Sequence, residues 1–279
     1  MKPSRAITLF CTLLLWMCCS ICKAEPEIVS GLVFSGNVEN MALGDAPVTA
    51  PKLLSRQLSV DGVWCRWAPD GNVQNEFSGS AFIGAGHSLG INLLAKGINC
   101  SASESKELIA GGGISLKISD VFVVDATFKY ASQTVQGAST IKAYCVDAGL
   151  AWSDYGLTAG VKISNIGSKS APTNAKAGIS YLFSAAFRHR FQLSANAGYY
   201  FPEACRALVA GGGLEYSFNN CFFLRGGYHY SSDTSKIPSF AGIGIGGRYN
   251  GFGLKATYLV TASGSPFKNA FLLGLSFDI

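Results

Sequence analysis

The chain closes on Asn269 to Ile279 (NAFLLGLSFDI), where Phe271, Leu273, Leu275, Phe277 and Ile279 alternate with Leu272, Gly274, Ser276 and Asp278. A period of two with one apolar face predicts a strand that has lipid on one side and a polar lumen on the other. The same alternation recurs upstream. Phe252, Leu254, Ala256, Tyr258 and Val260 oppose Lys255 and Thr257, and Ala241, Ile243, Ile245 and Tyr249 oppose Gly242, Gly244 and Arg248. Phe222, Leu224, Tyr228 and Tyr230 oppose Arg225 and His229, while Leu208, Ala210, Leu214, Tyr216 and Phe218 oppose Gly211, Gly213 and Glu215. The pattern continues through Phe191 to Phe201, Ala175 to Phe183, Tyr155 to Ile163, Tyr144 to Trp152, Phe122 to Tyr130, Leu108 to Ile118, Leu89 to Lys96 and Phe77 to Ala85, with a weaker first strand near Val60 to Trp67. Each segment is long enough to cross a bilayer at a tilt. Together they predict an all-β fold, a transmembrane antiparallel up-and-down β-barrel of about 14 strands, an even number as in bacterial single-chain barrels.

The connections carry a second signal. Joins after even strands are mostly short, as at Ser119-Asp120, Ser153-Asp154, Asn219-Asn220 and Asn250-Gly251, and the last is a favoured hairpin dipeptide. Joins after odd strands are mostly longer, chiefly Ala131 to Lys142, Ser164 to Asn174, Ser231 to Ser239 and Thr261 to Lys268. Pro202 to Arg206 is the exception, no longer than Ala185 to His189. Barrels keep short turns in the periplasm and longer loops outside, so both termini are expected at the periplasmic end.

Composition agrees. Apolar residues make up 48% of the chain and charged residues 14%, against about 25% charged in soluble domains, and no segment after residue 24 is long and apolar enough for a spanning helix. Residues 1–24 read as a signal peptide, with Lys2 and Arg5 before the apolar Ile7 to Trp16 and small residues before a cut at Glu25. A lipoprotein leader, using Cys18, Cys19 or Cys22, fits less well because Leu15 to Cys18 lacks small residues. Removing the leader leaves nineteen Lys and Arg against seventeen Asp and Glu, a net of +2. With no basic run and aromatics set among glycines, nucleic-acid binding is not expected. The expected location is the bacterial outer membrane, with outer-membrane lipid as a partner.

Residues 60–279 form the expected barrel. Its lumen-facing charged positions are Lys96, Lys117, Asp125, Lys129, Asp147, Lys162, Lys176, Glu215, Arg225, Arg248, Lys255 and Asp278, with His229 beside them. Eight bases against four acids leave this ledger basic by four, which would either attract an anion or pair across the lumen. Residues 25–59 carry Glu25, Glu27, Glu39 and Asp45 against Lys52 and Arg56. Such an acidic piece beside a basic lumen can be an internal plug or a periplasmic tail.

Catalytic chemistry is sparse. His87, His189 and His229 show no zinc-like spacing, and the five cysteines after the leader show no CxxC. The cysteines are expected as small apolar residues near strands, or with one loop disulfide that involves Cys100 or Cys205. His229 with Ser231 or Ser232 is the one hydrolase-like pairing. The GGG triplets lie inside strands, so they are not phosphate loops. No cofactor, metal or catalytic residue is expected, and the chain reads as non-enzymatic. Leu108 to Ser132 and Leu208 to Ser232 also align without gaps at an offset of 100, two hairpins of one design.

The run Cys145 to Lys169 (CVDAGLAWSDYGLTAGVKISNIGSK), with Ala175 to Phe183, Ala210 to Tyr230 and Gly242 to Ile279, resembles the PorV/PorQ family of outer-membrane proteins, related in fold to FadL-type barrels. Met41 to Ala50 (MALGDAPVTA) is similar to that family's amino-terminal segment, whereas Gln57 to Pro69 stands where the family has an Asn-Pro-Ala-Gly element. The resemblance implies a barrel from a group that includes type IX secretion components, with secretion machinery or cargo proteins as partners engaged through the long loops. The alternative it leaves open is a FadL-like transporter of a hydrophobic or amphipathic anionic small molecule.

Overall fold

The computed structural model describes residues 32–33, 37–45, 58–67, 74–85, 88–100, 105–135, 140–261, 268 and 270–279. The leader at 1–24, His87 and the loop residues 262–267 lie outside them. Fourteen antiparallel strands close into one barrel. In chain order they are β1 (Leu58–Trp67), β2 (Gln74–Ala85), β3 (Leu89–Cys100), β4 (Ser105–Lys117), β5 (Phe122–Thr134), β6 (Ile141–Asp154) and β7 (Leu157–Gly167). The second half comprises β8 (Asn174–Ala186), β9 (His189–Tyr200), β10 (Ala207–Phe218), β11 (Phe222–Ser231), β12 (Phe240–Tyr249), β13 (Phe252–Thr261) and β14 (Ala270–Asp278). Every strand pairs with its sequence neighbour, and β1 pairs with β14 from Ser59↔Asp278 to Arg66↔Phe271. Closure leaves no unpaired sheet edge, the condition for strands to stand in hydrocarbon.

The strands run longer than the alternation alone suggests, most of all at their loop ends. β6 starts at Ile141 and β5 ends at Thr134, which shortens the join between them. β8 and β9 reach to Ala186 and His189, so their turn is only Phe187-Arg188, and the exception in the loop pattern disappears. Short turns therefore share one end with Leu58 and Ile279, whose backbones exchange hydrogen bonds of 3.1 and 2.9 Å. The tight turns use left-handed residues, Asn219 and Asn220 in one and Asn250 and Gly251 in another.

Outside, the exposed side chains form a belt. Leu93, Ile114, Val161, Leu193, Leu224, Ile243 and Leu275 occupy its middle. Phe122, Phe218, Phe222, Tyr249 and Phe252 ring the turn end, and Phe77, Tyr144, Tyr199, Tyr228 and Tyr258 ring the loop end. An apolar band between two aromatic girdles on a closed barrel is the architecture of a bacterial outer-membrane protein, and that is where this chain resides.

Among the described residues one short helix lies inside, α1 (Val38–Ala42), capped by the Asn37 side chain, which accepts from the N–H groups of Glu39 and Asn40. It packs against β11 to β14. Val38 and Met41 join Leu259, Leu272, Phe240 and Cys65 in one buried cluster, while Leu32 joins Ile109, Ala131, Ala143 and Cys145 in another. Of the described cysteines, Cys65, Cys145 and Cys205 are buried free thiols and Cys221 is an exposed one.

Candidate functional site

The glycines on the inward faces of β10 to β12 form a seat for α1. A Cβ added at Gly213 would stand 2.8 Å from the Leu43 Cα, at Gly227 2.6 Å from the Leu43 carbonyl carbon, and at Gly242 2.5 Å from the Met41 oxygen. Gly44 itself, at φ +74°, lies against the Tyr228 backbone. No residue with a side chain could let the helix approach so closely, so the glycine content of these strands measures the space the internal segment needs.

Charge fixes what the glycines admit. Glu39 lies 3.2 Å from Arg225 and 3.1 Å from Lys255; Arg225 also pairs with Glu215 at 2.6 Å, and Lys255 with Asp61 at 3.3 Å. Burial opposes ionisation of Glu39, but Lys255 and Arg225 outweigh it and hold the carboxyl below the usual carboxylate range. At the other end of the helix the buried Asp45 meets the Lys176 Nζ at 2.6 Å, and that ammonium lies 5.5 Å from the centre of the Tyr200 ring. His229 Nδ1 and Asn196 Nδ2 face the Gly44 carbonyl oxygen at 3.4 and 3.5 Å.

The stretch at residues 32–33 is fastened separately. The Tyr200 hydroxyl donates to the Val33 carbonyl at 2.8 Å, and Asn165 Nδ2 donates to the Leu32 carbonyl at 3.1 Å. Asn165 sits at φ +59° beside the register shift between β6 and β7, where its N–H donates to Asp147. Its Oδ1 accepts from Lys129, and its Nδ2 also donates to Pro172 in the β7–β8 loop. One side chain thus ties the bulge, an outer loop and the internal segment together, and the motif from Asp147 to Gly167 is the sequence trace of that junction.

The remaining charged positions pair locally. Lys96 meets Glu76 at 3.0 Å, Lys129 meets Asp147 at 2.7 Å, Arg248 meets Asp278 at 3.1 Å, and Lys117 meets Asp120 at the turn end. Asp125 lies in the field of Lys162. Lys162 is the outlying lysine, 39% exposed and 3.4 Å from Asp147. Asp61, Glu76 and Glu107 raise the barrel's inward acids to seven against those eight bases, and Glu39 and Asp45 of the internal segment pair with three of the bases, Arg225, Lys255 and Lys176. Asp61 belongs to the weakest of the expected strands, and Glu76 and Glu107 lie just before the expected starts at Phe77 and Leu108, on strands that begin three residues earlier, at Gln74 and Ser105.

The hydrolase-like pairing is not assembled. His229 is stacked on Phe240 with ring centres 5.0 Å apart, while the Ser231 hydroxyl bonds to the Asp233 backbone and the Ser232 hydroxyl accepts from the Leu208 N–H. His189 instead opens β9, with Nδ1 2.8 Å from the Tyr216 hydroxyl.

A cavity of about 290 Å³ remains between α1 and the wall of β1 to β8. Its apolar side includes Leu32, Val38, Val63, Leu94 and Ile109, and its polar side Lys162, Ser78, Ser80 and Asn174 together with the ion pairs Lys129–Asp147, Lys176–Asp45 and Lys255–Asp61.

No family model and no curated protein matches this chain. Among solved structures it is similar to a Pseudomonas aeruginosa FadL homologue, at 11% identity with a TM-score of 0.50 over 87% of this chain and 95% of that one. An engineered Rhodopseudomonas blastica porin aligns at 9% identity and a TM-score of 0.46, over 80% of this chain and 99% of the porin. The KdgM porin aligns at 10% and 0.43, over 78% and 98%. At such identities the FadL homologue shares the fold, a closed outer-membrane β-barrel.

Proposed function

We propose that this chain is a non-enzymatic, plug-gated outer-membrane transporter of FadL-like type that admits a small amphipathic anion. The observation that carries the reading is the cavity beside α1, where an apolar wall faces the half-exposed Lys162 ammonium. Its volume of about 290 Å³ is near the lower bound of small-ligand sites, about 300 Å³. A tail would lie on Leu94, Val63 and Ile109, and a carboxylate would compete with Asp147 for Lys162. With α1 seated the pore is obstructed, so passage requires the helix to move.

The test is dodecanoate binding to the purified barrel and dodecanoate flux into liposomes. Saturable binding that falls at least about tenfold in Lys162→Glu supports the reading. Equal uptake of dodecanoate and dodecanol, or no dodecanoate binding, refutes it.

A second reading, partner binding as in PorV-like barrels, is favoured by the loop between β11 and β12. Ile237 is fully buried there against Val209 and Tyr200, and Lys236 donates to the Glu203 carbonyl, which gives the outer rim a preformed shape. A secreted protein that co-purifies in a fixed ratio would support that reading.

A further inference from the structure

The lipid-facing side of β4 to β6 carries a feature that plug and cavity leave unused. Toward the loop end, Lys106 on β4 and Lys142 on β6 are exposed on the outward face, and Lys169 is exposed on the β7–β8 loop. None of the three belongs to an ion pair among the described residues, whereas every lysine turned inward on β3 to β5 is paired with an acid. The acids nearest along these strands, Glu107 and Asp147, are buried on the inward face. Glu104 lies outside the described residues.

Register places the group. Lys106 pairs across to Thr134, and Lys142 to Ser132, so their α-carbons are about 12 Å apart, two strand spacings across and two residues along. Lysine arms can close that gap onto one phosphate or hold two phosphates of one headgroup. The Ser168 hydroxyl accepts from the Tyr144 N–H and donates to its carbonyl, which brings Lys169 beside the same strand. Tyr130 and Tyr144, ring centres 5.2 Å apart, stand just below at the depth where acyl chains meet headgroups. The Thr134 and Thr140 hydroxyls, 3.2 Å apart, add neutral hydrogen-bonding groups at the rim.

Isolated boundary lysines extend toward water and need no ligand. Three cations of one sign, with no facing acid among the described residues and set above paired tyrosines, are complementary to a phosphorylated headgroup with acyl chains below it. We infer that this face is a binding site for a phosphorylated glycolipid of the outer leaflet, with Lys106 and Lys142 as the phosphate contacts and Tyr130 and Tyr144 as the apolar platform.

The test uses the full folded barrel in a neutral detergent, titrated with bisphosphorylated lipid A, its monophosphorylated form and phosphatidylcholine, and read by native mass spectrometry. Wild type should retain the bisphosphorylated lipid most strongly, and Lys106→Gln with Lys142→Gln should lower that affinity about twenty-five-fold, at roughly fivefold per lysine. Arg66→Gln, exposed at the loop end of β1, should bind as wild type. Heat-modifiable gel mobility confirms that each variant is folded. Unchanged lipid A binding by the double variant, equal losses in Arg66→Gln, or no preference for the second phosphate would overturn the assignment.

Discussion

Neutralising Asp45 should release the internal segment while the barrel stays closed. Asp45 and Lys176 are 2.6 Å apart, with side chains 3% and 10% exposed, so the pair is shielded from solvent. Asp45→Asn keeps an acceptor near the ammonium but removes the charge. Breaking one side of a buried pair typically costs 3–5 kcal/mol, and the retained acceptor places this case near the lower figure, about 3 kcal/mol. At 1.4 kcal/mol per factor of ten, the balance between seated and released segment shifts about a hundredfold. The strands retain their ladder bonds, so the cost falls on the seat. A Met41→Cys thiol reports release, since Met41 is buried in the seated state and its maleimide labelling rate follows the released fraction. Asp45→Asn should accelerate labelling about a hundredfold, without loss of heat-modifiable mobility. Adding Lys176→Met, which removes the stranded charge, should restore most of the protection. If Asp45→Asn labels at the parent rate, or if the two substitutions simply add, the pair does not hold the segment.

The Glu39 clamp predicts an acid response. Its carboxyl titrates below its ordinary value of 4.5 because Lys255 and Arg225 prevail over burial. Its stabilisation is therefore complete above that pH and is lost as pH falls beneath it. Divided by the rate of a free cysteine at the same pH, because the reactive thiolate fades on acidification, labelling of the same thiol should rise below about pH 4.5 by more in the parent than in Glu39→Gln, which should already be faster at pH 7. Equal pH profiles would rule out Glu39 as the sensitive group. The glycine seat predicts a steric response: Gly227→Val should dislodge α1 at a cost of about 1–3 kcal/mol. Gly226→Val, where an added Cβ meets nothing within 4 Å, should leave the segment seated, and equal labelling of the two would show that the close approach is not limiting.

Alternation made the barrel legible because lipid and lumen impose opposite demands on successive residues, and this demand extends along every strand. Strand ends are different. Near the loops the apolar face gives way to polar side chains, so the period fades before the ladder does, and Glu76, Glu107 and Asn165 fall in that zone. Asn165 was the least legible of all. Its role depends on a left-handed backbone, a register shift and a partner at Leu32, none of which leaves a periodic mark. The acidity of the amino-terminal piece was visible, but not which base each acid would meet, since Asp45 and Lys176 are 131 residues apart.

The two aligned hairpins show how one sequence pattern can serve two ends. In β10, Gly211 and Gly213 leave room for Gly44 and Leu43 of the internal segment. In β4, an added Cβ at Gly111 or Gly113 would instead meet the Lys129 or Thr127 side chain of the next strand, so the same space is filled by the barrel's own residues. The positions that differ follow from this. Thr127 is replaced by Gly227, which clears the helix, and Lys129 by His229, whose ring faces the Gly44 carbonyl. Asp125 is replaced by Arg225, which reverses the charge where Glu39 docks. A hairpin whose lumen side carries Gly, His and Arg at these places is shaped for a foreign segment, while one that carries Thr, Lys and Asp fills its own lumen. Exchanging Gly227→Thr, His229→Lys and Arg225→Asp together should therefore preserve the barrel and expel α1, with rapid Met41→Cys labelling at native heat-modifiable mobility. Full protection of that thiol in the triple variant would show that the differences between the hairpins are unrelated to the segment one of them holds.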